Sequence, residues 1–364
     1  MRYIIKRVVL LFILLLSPEI RGENLYYQMF DNIGLENKFS SAYCFIQDSQ
    51  GLLWIGTENG LFCYDGYNVQ QHFILGSFSN THIYSAVKVD NSHIYLGSDN
   101  GVLIYNTLTD VYEKTPVRLP FNVRALSKDG DILWIGTLNG LYMYDLLSHK
   151  LERFDAKHTK GLPNSTIYSL VQTNNGDLYI GTYNGLCYYS KAKKVFTRVP
   201  ITQTGCNNVF VNSLFDDNTR NCIWIGTEGE LFKYDKRSHR VSSISLLSGN
   251  TIKSLALDDG GHLLIGTDNG MFTYKEHVPL QHVVHDARDM QSLMNDIVWK
   301  IFVDKSHNVW VGTDNGVSLF RYNPSFQYYP LPVVTGTGHG NHLYCVFRDS
   351  RGYLWLGGTD GLLR

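Results

Sequence analysis

The sequence is poor in proline, with 9 in 364 residues, and poor in charge, with 18% Asp, Glu, Lys and Arg; 32 Lys and Arg stand against 33 Asp and Glu. The missing basic excess argues against nucleic acid as a partner, because phosphate binding is driven by Lys and Arg neutralising a dense row of charges. Long apolar runs are lacking as well. After residue 22 none reaches the ~18–20 consecutive apolar residues that a membrane-spanning helix requires. Cysteine is sparse and scattered: Cys44, Cys63, Cys187, Cys206, Cys222 and Cys345 follow no compact disulfide spacing. Cys206 and Cys222 flank an expected strand over 209–215, whose rise of ~3.3 Å per residue holds them well beyond the ~7 Å limit for bridged Cα atoms. All six are expected as buried thiols.

What is present is 44% hydrophobic residues, 33 Gly, 24 Tyr and 18 Phe, enough for a large core and suited to short strands and tight turns. Residues 1–22 read as a signal peptide: Arg2, Lys6 and Arg7 precede the apolar run from Val8 to Leu16, and Gly22 offers a small residue before a cleavage point. Ile20-Arg21-Gly22 departs from the small-x-small cleavage rule, so an uncleaved anchor stays open; either way the remainder is exported. Losing Arg2, Lys6, Arg7, Arg21 and Glu19 moves the formal charge from -1 to -4.

One segment recurs along the chain. Leu53-Trp54-Ile55-Gly56-Thr57-Glu58-Asn59-Gly60-Leu61 returns as 94–102 and 133–141, and further copies centre on Gly181, Gly226, Gly266, Gly312 and Gly357, spaced by 39 to 46 residues. A period near 40–45 with several short strands per copy marks a β-propeller. In each copy an apolar inner strand such as 168–171 precedes a polar turn, then 178–182, then an Asn-Gly hairpin, a third strand 186–189 and an amphipathic edge 194–198. The large aromatic before the glycine (Trp54, Tyr95, Trp134, Tyr179, Trp224, Trp310 or Trp355) should wedge between blades, with the glycine allowing close approach. Leu264 replaces the aromatic in the sixth copy, and Gly229-Glu230 replaces Asn-Gly in the fifth.

Seven copies fill about 31–330, and the eighth stops before its third strand is complete. Ring closure commonly uses a strand from the far terminus, and Leu25 to Phe30 resembles an outer strand. The expectation is therefore an all-β, seven-bladed propeller over 23–330, closed by 25–30, with 331–364 as the truncated first blade of a second propeller. An eight-bladed ring is the competing count.

The pattern D-x-x-G-x-L-W-I-G-T-x-N-G-L, complete at Asp48 to Leu61, resembles the regulator-propeller repeat of hybrid two-component sensors of Gram-negative bacteria. The resemblance covers nearly all of 31–364. It implies a periplasmic sensor region, belonging to a full-length protein anchored in the inner membrane, with a second propeller, an immunoglobulin-like domain and a cytoplasmic histidine kinase with receiver and DNA-binding modules as its C-terminal partners. It further implies an oligosaccharide ligand released from complex glycans, whose detection switches on utilisation genes through a phosphorelay. Kinase activity would lie outside this chain, so no enzyme activity, catalytic residue or cofactor is expected in it. A homodimer is left open.

Little else carries chemistry. Gly336-Thr337-Gly338-His339-Gly340 precedes a strand rather than a helix and lacks the Lys-Ser/Thr of a phosphate loop. His282 with His285, and His339 with His342, have chelating spacing but no accompanying Cys or carboxylate set, so no metal is expected. Asp48 to Gly51 and 349–352 are similar to sialidase Asp-boxes but have one residue too many. An Asn precedes most inner strands (Asn80, Asn122, Asn164, Asn250, Asn295, Asn341), in keeping with turn capping.

The candidate ligand residues sit early in each inner strand, where the repeat varies: Tyr43, Tyr84, Arg124, Tyr168, Asn212, Lys253 and Trp299. Tyr and Trp can stack on sugar rings, while Arg, Lys and Asn supply hydrogen bonds, the chemistry of a concave carbohydrate site. Plugging of the channel by the same side chains is the alternative. The longest connections, about 156–164 and 283–295, add His158, His285 and Arg288 as loop candidates. A secreted lyase-like propeller enzyme and a protein-interaction scaffold remain as competing readings.

Overall fold

In the computed structural model, residues 29–33, 41–72, 81–201, 209–321, 343–350, 353–359 and 361–363 are described. Residues 1–28, Asn80, Cys206, Gly336 to Gly340 with His339, Asn341 and His342 lie outside the described residues.

Seven four-stranded antiparallel sheets form the blades of one propeller. Their inner strands are Ala42–Gln47, Ile83–Lys88, Val123–Asp129, Ile167–Gln172, Val211–Asp217, Ile252–Leu257 and Val298–Val303, numbered here as blades one to seven. Five of the seven second strands, Leu53–Thr57, Leu178–Thr182, Cys222–Thr227, Leu263–Thr267 and Val309–Thr313, are buried along their whole length, which is why they read as apolar runs. The outer strand Val195–Val199 buries Phe196 and Val199 and turns Val195, Thr197 and Arg198 to solvent.

Seven hydrophobic clusters hold the ring, and each joins two neighbouring blades. One packs Phe45 and Ile55 of blade one against Trp310 and Leu319 of blade seven; another packs Trp54 and Leu61 of blade one against Ile83 and Leu96 of blade two. No blade has an interior of its own. The motif glycine permits this: a Cβ on Gly56 would lie 2.7 Å from Ile83 Cγ2 and 2.9 Å from the Ile83 carbonyl of the next blade, closer than packed atoms tolerate. Thr57 then closes the hairpin, donating from Oγ1 to the Gly60 carbonyl at 2.9 Å and accepting from the Asn59 amide at 3.0 Å. In blade five the substitution Gly229-Glu230 keeps the Thr227 bond, now to the Glu230 carbonyl, but sheet pairing ends at Gly226 with Leu231.

The aspartate of the polar turn has a role that its sequence position did not disclose. Asp48 is buried; its Oδ1 accepts the Gln50 and Leu52 amides and its Oδ2 accepts the Trp54 indole N–H at 2.9 Å. Asp217 does the same for Trp224 and Asp304 for Trp310. The wedged tryptophan thus has its one donor satisfied inside the core.

The ring closes through the amino-terminal side. The strand Asp31–Ile33 pairs with Gly316–Phe320 of blade seven, matching Asn32 with Ser318, while 25–28 of the expected closing stretch lie outside the described residues. Phe30 is no part of the strand; it is buried beside Leu293, Met271 and Val298 between blades six and seven. Closure on blade seven excludes the eight-bladed count.

Residues 323–364 form a separate compact unit. Among its described residues is a three-stranded sheet, Leu343–Arg348, Leu354–Gly358 and Gly361–Leu363, with Trp355 Nε1 donating to Asp349. Tyr344, Val346 and Phe347 are exposed on it, and so is Cys345, against the expectation of six buried thiols: within this unit no neighbouring blade covers the inner strand. Cys44, Cys63, Cys187 and Cys222 are buried and free.

Candidate functional site

Every inner strand carries a β-bulge at the same place. In blade one Ala42 pairs with Thr57 and Cys44 with Gly56, leaving Tyr43 unpaired between them. The same register shift isolates Tyr84, Arg124, Tyr168, Asn212, Lys253 and Trp299. A bulge re-aims the extra residue's side chain, and all seven line one central cavity of about 740 Å3. Each is half-buried.

The seven fall into a continuous arc and two further positions. The Lys253 ammonium lies 4.3 Å from the Trp299 ring centroid, Trp299 meets Tyr43 edge-on at 5.4 Å, Tyr43 lies 5.4 Å from Tyr84, and the Arg124 guanidinium covers Tyr84 at 3.9 Å. Five consecutive blades are linked through cation–π and ring contacts. Across the cavity Tyr168 packs on Phe210 at 4.4 Å. The Arg124 Nε and Asn212 Nδ2 atoms are buried without a hydrogen-bond partner, a state that costs free energy until something accepts from them.

A collar of hairpin residues surrounds the ring, at the x of each T-x-N-G. Tyr84 donates its hydroxyl to Asp99 at 2.7 Å, and His82 Nδ1 lies 2.7 Å from the other Asp99 oxygen. Trp299 Nε1 donates to Asp314 at 2.8 Å, and Ser41 donates to the same oxygen at 2.9 Å. Burial raises the Tyr84 and Tyr43 phenols, Tyr84 further through its bond to Asp99. For Asp99 burial acts upward, but the bonds from Tyr84 and His82 outweigh it and hold the carboxyl below its usual range. Burial lowers the Lys253 ammonium against the pull of Asp268, Glu228 and Asp314. The collar was missed because its residues vary inside a hairpin read only for its turn; that variation was the available signal.

Arg288 does not join the cavity. Its side chain is 90% exposed and forks onto Asp286, while its loop serves ring closure: Phe30 donates to the Gln291 carbonyl, and Asn32 Nδ2 to the Met290 and Ser292 carbonyls. His158 rests on Asp155 at the surface, and His285 Nδ1 meets the Leu293 carbonyl at 2.6 Å. His282 stacks on Phe272 at 4.0 Å. Asn164 and Asn295 accept amides two residues on, as turn capping requires, whereas the Asn122 Oδ1 is buried without a partner. Among the described residues there is no cluster of three or more metal-ligating side chains.

Residues 36–59, 161–184 and 292–315 match the family described as the two-component regulator propeller. A solved extracellular domain from B. thetaiotaomicron, assigned to the hybrid two-component systems, is 51% identical over 92% of this chain, with a TM-score of 0.79. A second such domain from that organism, 21% identical over 91% of this chain and 52% of its own length, has a TM-score of 0.70 and shares the fold. A curated relative, histidine kinase P4 of Formosa agariphila, is 26% identical over 64% of this chain. The chain spans 45% of the first of these structures and 18% of the curated kinase.

Proposed function

We infer, from a chain built on two-component regulator propeller repeats, that it is the ligand-sensing part of a hybrid two-component sensor working in the periplasm, with 1–22 as its export signal. The ligand is an oligosaccharide released from a complex glycan, seated at the channel mouth on Tyr43, Tyr84, Arg124, Tyr168, Asn212, Lys253 and Trp299. Binding there regulates genes for use of that glycan through kinase and receiver modules in other parts of a longer protein, and 331–364 open a second propeller. The exposed inner strand around Tyr344 and Phe347 supports that last point, since a blade buries this face only against its neighbours.

The observation that carries the reading is the bulge repeated in seven blades, which turns seven side chains of five kinds into one cavity. A volume of about 740 Å3 falls within the ~300–1,000 Å3 of small-molecule sites. Rings that brace one another and donors without acceptors suit a flat, hydroxyl-rich ligand. The test is a panel of neutral and acidic oligosaccharides in a thermal-unfolding assay. A bound member at 100 times its Kd adds ~2.7 kcal/mol to stability, and Trp299→Ala should abolish that shift while leaving the protein folded. Among the described residues His82, Asp99 and Tyr84 form a grouping at the mouth that acid–base turnover could use; chromatography of each bound probe after incubation should return it unchanged, and cleavage that His82→Ala abolishes would favour the enzyme reading. No response to any sugar, with a protein partner recovered instead, would favour the scaffold.

A further inference from the structure

Directly after the bulge, each inner strand places one residue opposite the motif glycine, and in six of the seven blades it is small: Cys44, Ser85, Ala125, Ser169, Ser213 and Ser254. The packing demands it. A Cβ on Gly97, Gly181 or Gly226 would run into the next blade as well as into this side chain, so the layer has little room. Blade seven breaks the rule with Lys300, which pairs with Gly312.

Lys300 lines the same cavity as the ring residues, together with Cys44 and Ser85 of the two following blades. Its ammonium has no ion pair and no hydrogen bond among the described residues, and burial lowers its affinity for a proton, with the Cys44 thiol as its one electrostatic neighbour. The Ser85 hydroxyl in the same layer is buried without a partner. No collar carboxylate acts on Lys300: Asp99 and Asp314 are engaged by Tyr84, His82, Trp299 and Ser41, and Asp268, Glu228 and Asp314 act on Lys253. A lone cation in a protein wall is costly unless an opposite charge meets it, and a serine would have filled the position at no such cost.

We infer that Lys300 is a specificity-determining residue that receives an oxyanion of the ligand, a carboxylate or sulfate ester carried on a sugar ring that enters along the channel axis past the Tyr43–Trp299 arc. The inference rests on the channel mouth being the ligand site. It adds that the ligand is acidic and that its charged substituent points inward.

The test uses the full chain, its Lys300→Ser and Lys300→Arg variants, and three sets of two- to four-ring probes: uronic-acid oligosaccharides, sulfated oligosaccharides and their neutral counterparts. Calorimetric titration at low ionic strength should find an acidic probe that binds the parent, binds Lys300→Ser at least tenfold more weakly, and recovers most affinity in Lys300→Arg. Which acidic set responds separates carboxylate from sulfate. Lys300→Ser without ligand should melt at or above the parent temperature, which also shows that it folds. Equal binding of acidic probes to parent and Lys300→Ser would overturn the inference, as would a parent that binds neutral probes alone or no acidic probe. In the neutral-only case Trp299→Ala still reports on the channel mouth, so the two readings fail separately.

Discussion

The guanidinium carbon of Arg124 lies 3.9 Å from the centre of the Tyr84 ring, while the hydroxyl of that ring is held by Asp99. One side chain of blade three therefore fixes a ring of blade two, and that ring is tied through its own hairpin. Arg124→Ala should weaken ligand binding by roughly tenfold, about 1.4 kcal/mol, and change unfolding stability by no more than about 1 kcal/mol, the range of a partly exposed cation–π pair. Arg124→Lys should recover little, because an ammonium lacks the flat face that stacks on the ring. Titration and melting of the two variants decide it; full affinity in the alanine variant would remove Arg124 from the site.

Gly56 faces the neighbouring blade at a distance no side chain can share. With a methyl group 2.9 Å from a backbone carbonyl, Gly56→Ala forces the first two blades apart and should cost about 3 kcal/mol, the upper range for overpacking. Gly51, with φ of +90° and no atom within 4 Å of its Cβ, should cost about 1–2 kcal/mol on substitution by alanine, from backbone strain alone. Urea midpoints of the two variants should keep that order.

Asp217 supplies a pH dependence with a defined sign. Burial pushes its carboxyl up, but bonds from Thr219, Arg220 and Trp224 outweigh burial and bring it from 3.8 down to about 2. A carboxylate held below its unfolded value stabilises the fold fully above the unfolded pKa, and that contribution is lost as pH falls through the folded one. The loss should run between about pH 4 and pH 2 and amount to about 2 kcal/mol. Asp217→Asn should flatten the stability profile in that window; an unchanged profile would show that the bonds from Arg220 and Trp224 do not hold the carboxyl down.

Closure of the ring rests on a short strand and one aromatic anchor. Phe30→Ala should destabilise the propeller by about 3–5 kcal/mol, the cost of emptying a buried aromatic site, and Asn32→Ala by about 1–3 kcal/mol through the carbonyls and the Ser318 hydroxyl it leaves unpaired. Limited proteolysis should then cut first in blade seven. Cleavage spread evenly over all blades would place the weak point elsewhere.

The architecture was legible because a propeller repeats its packing rule: glycine, aromatic and hairpin recur at fixed offsets, and each offset has one steric cause. The ring residues could be found for the opposite reason, that they vary at a position where everything around them does not. Besides the turn aspartate and the collar, three features could not be read. The amino-terminal closure on blade seven was expected, but not that Asp31–Ile33 would pair there, with Phe30 an anchor between blades and Asn32 supplying polar partners along the seam. Arg288 looked functional from the length of its loop, yet that loop is spent on holding the closure. Lys300 passed as an ordinary inner-strand residue, since its oddity emerges only once the bulge aligns it with six small neighbours.

Because every cluster lies in a seam between blades, a blade that loosens uncovers a face of each of its two neighbours. The axis is the one line that all seven seams approach together. On the proposed reading, a molecule lodged there would meet all seven inner strands at once, and its arrival should be felt as a change in stiffness along the entire rim.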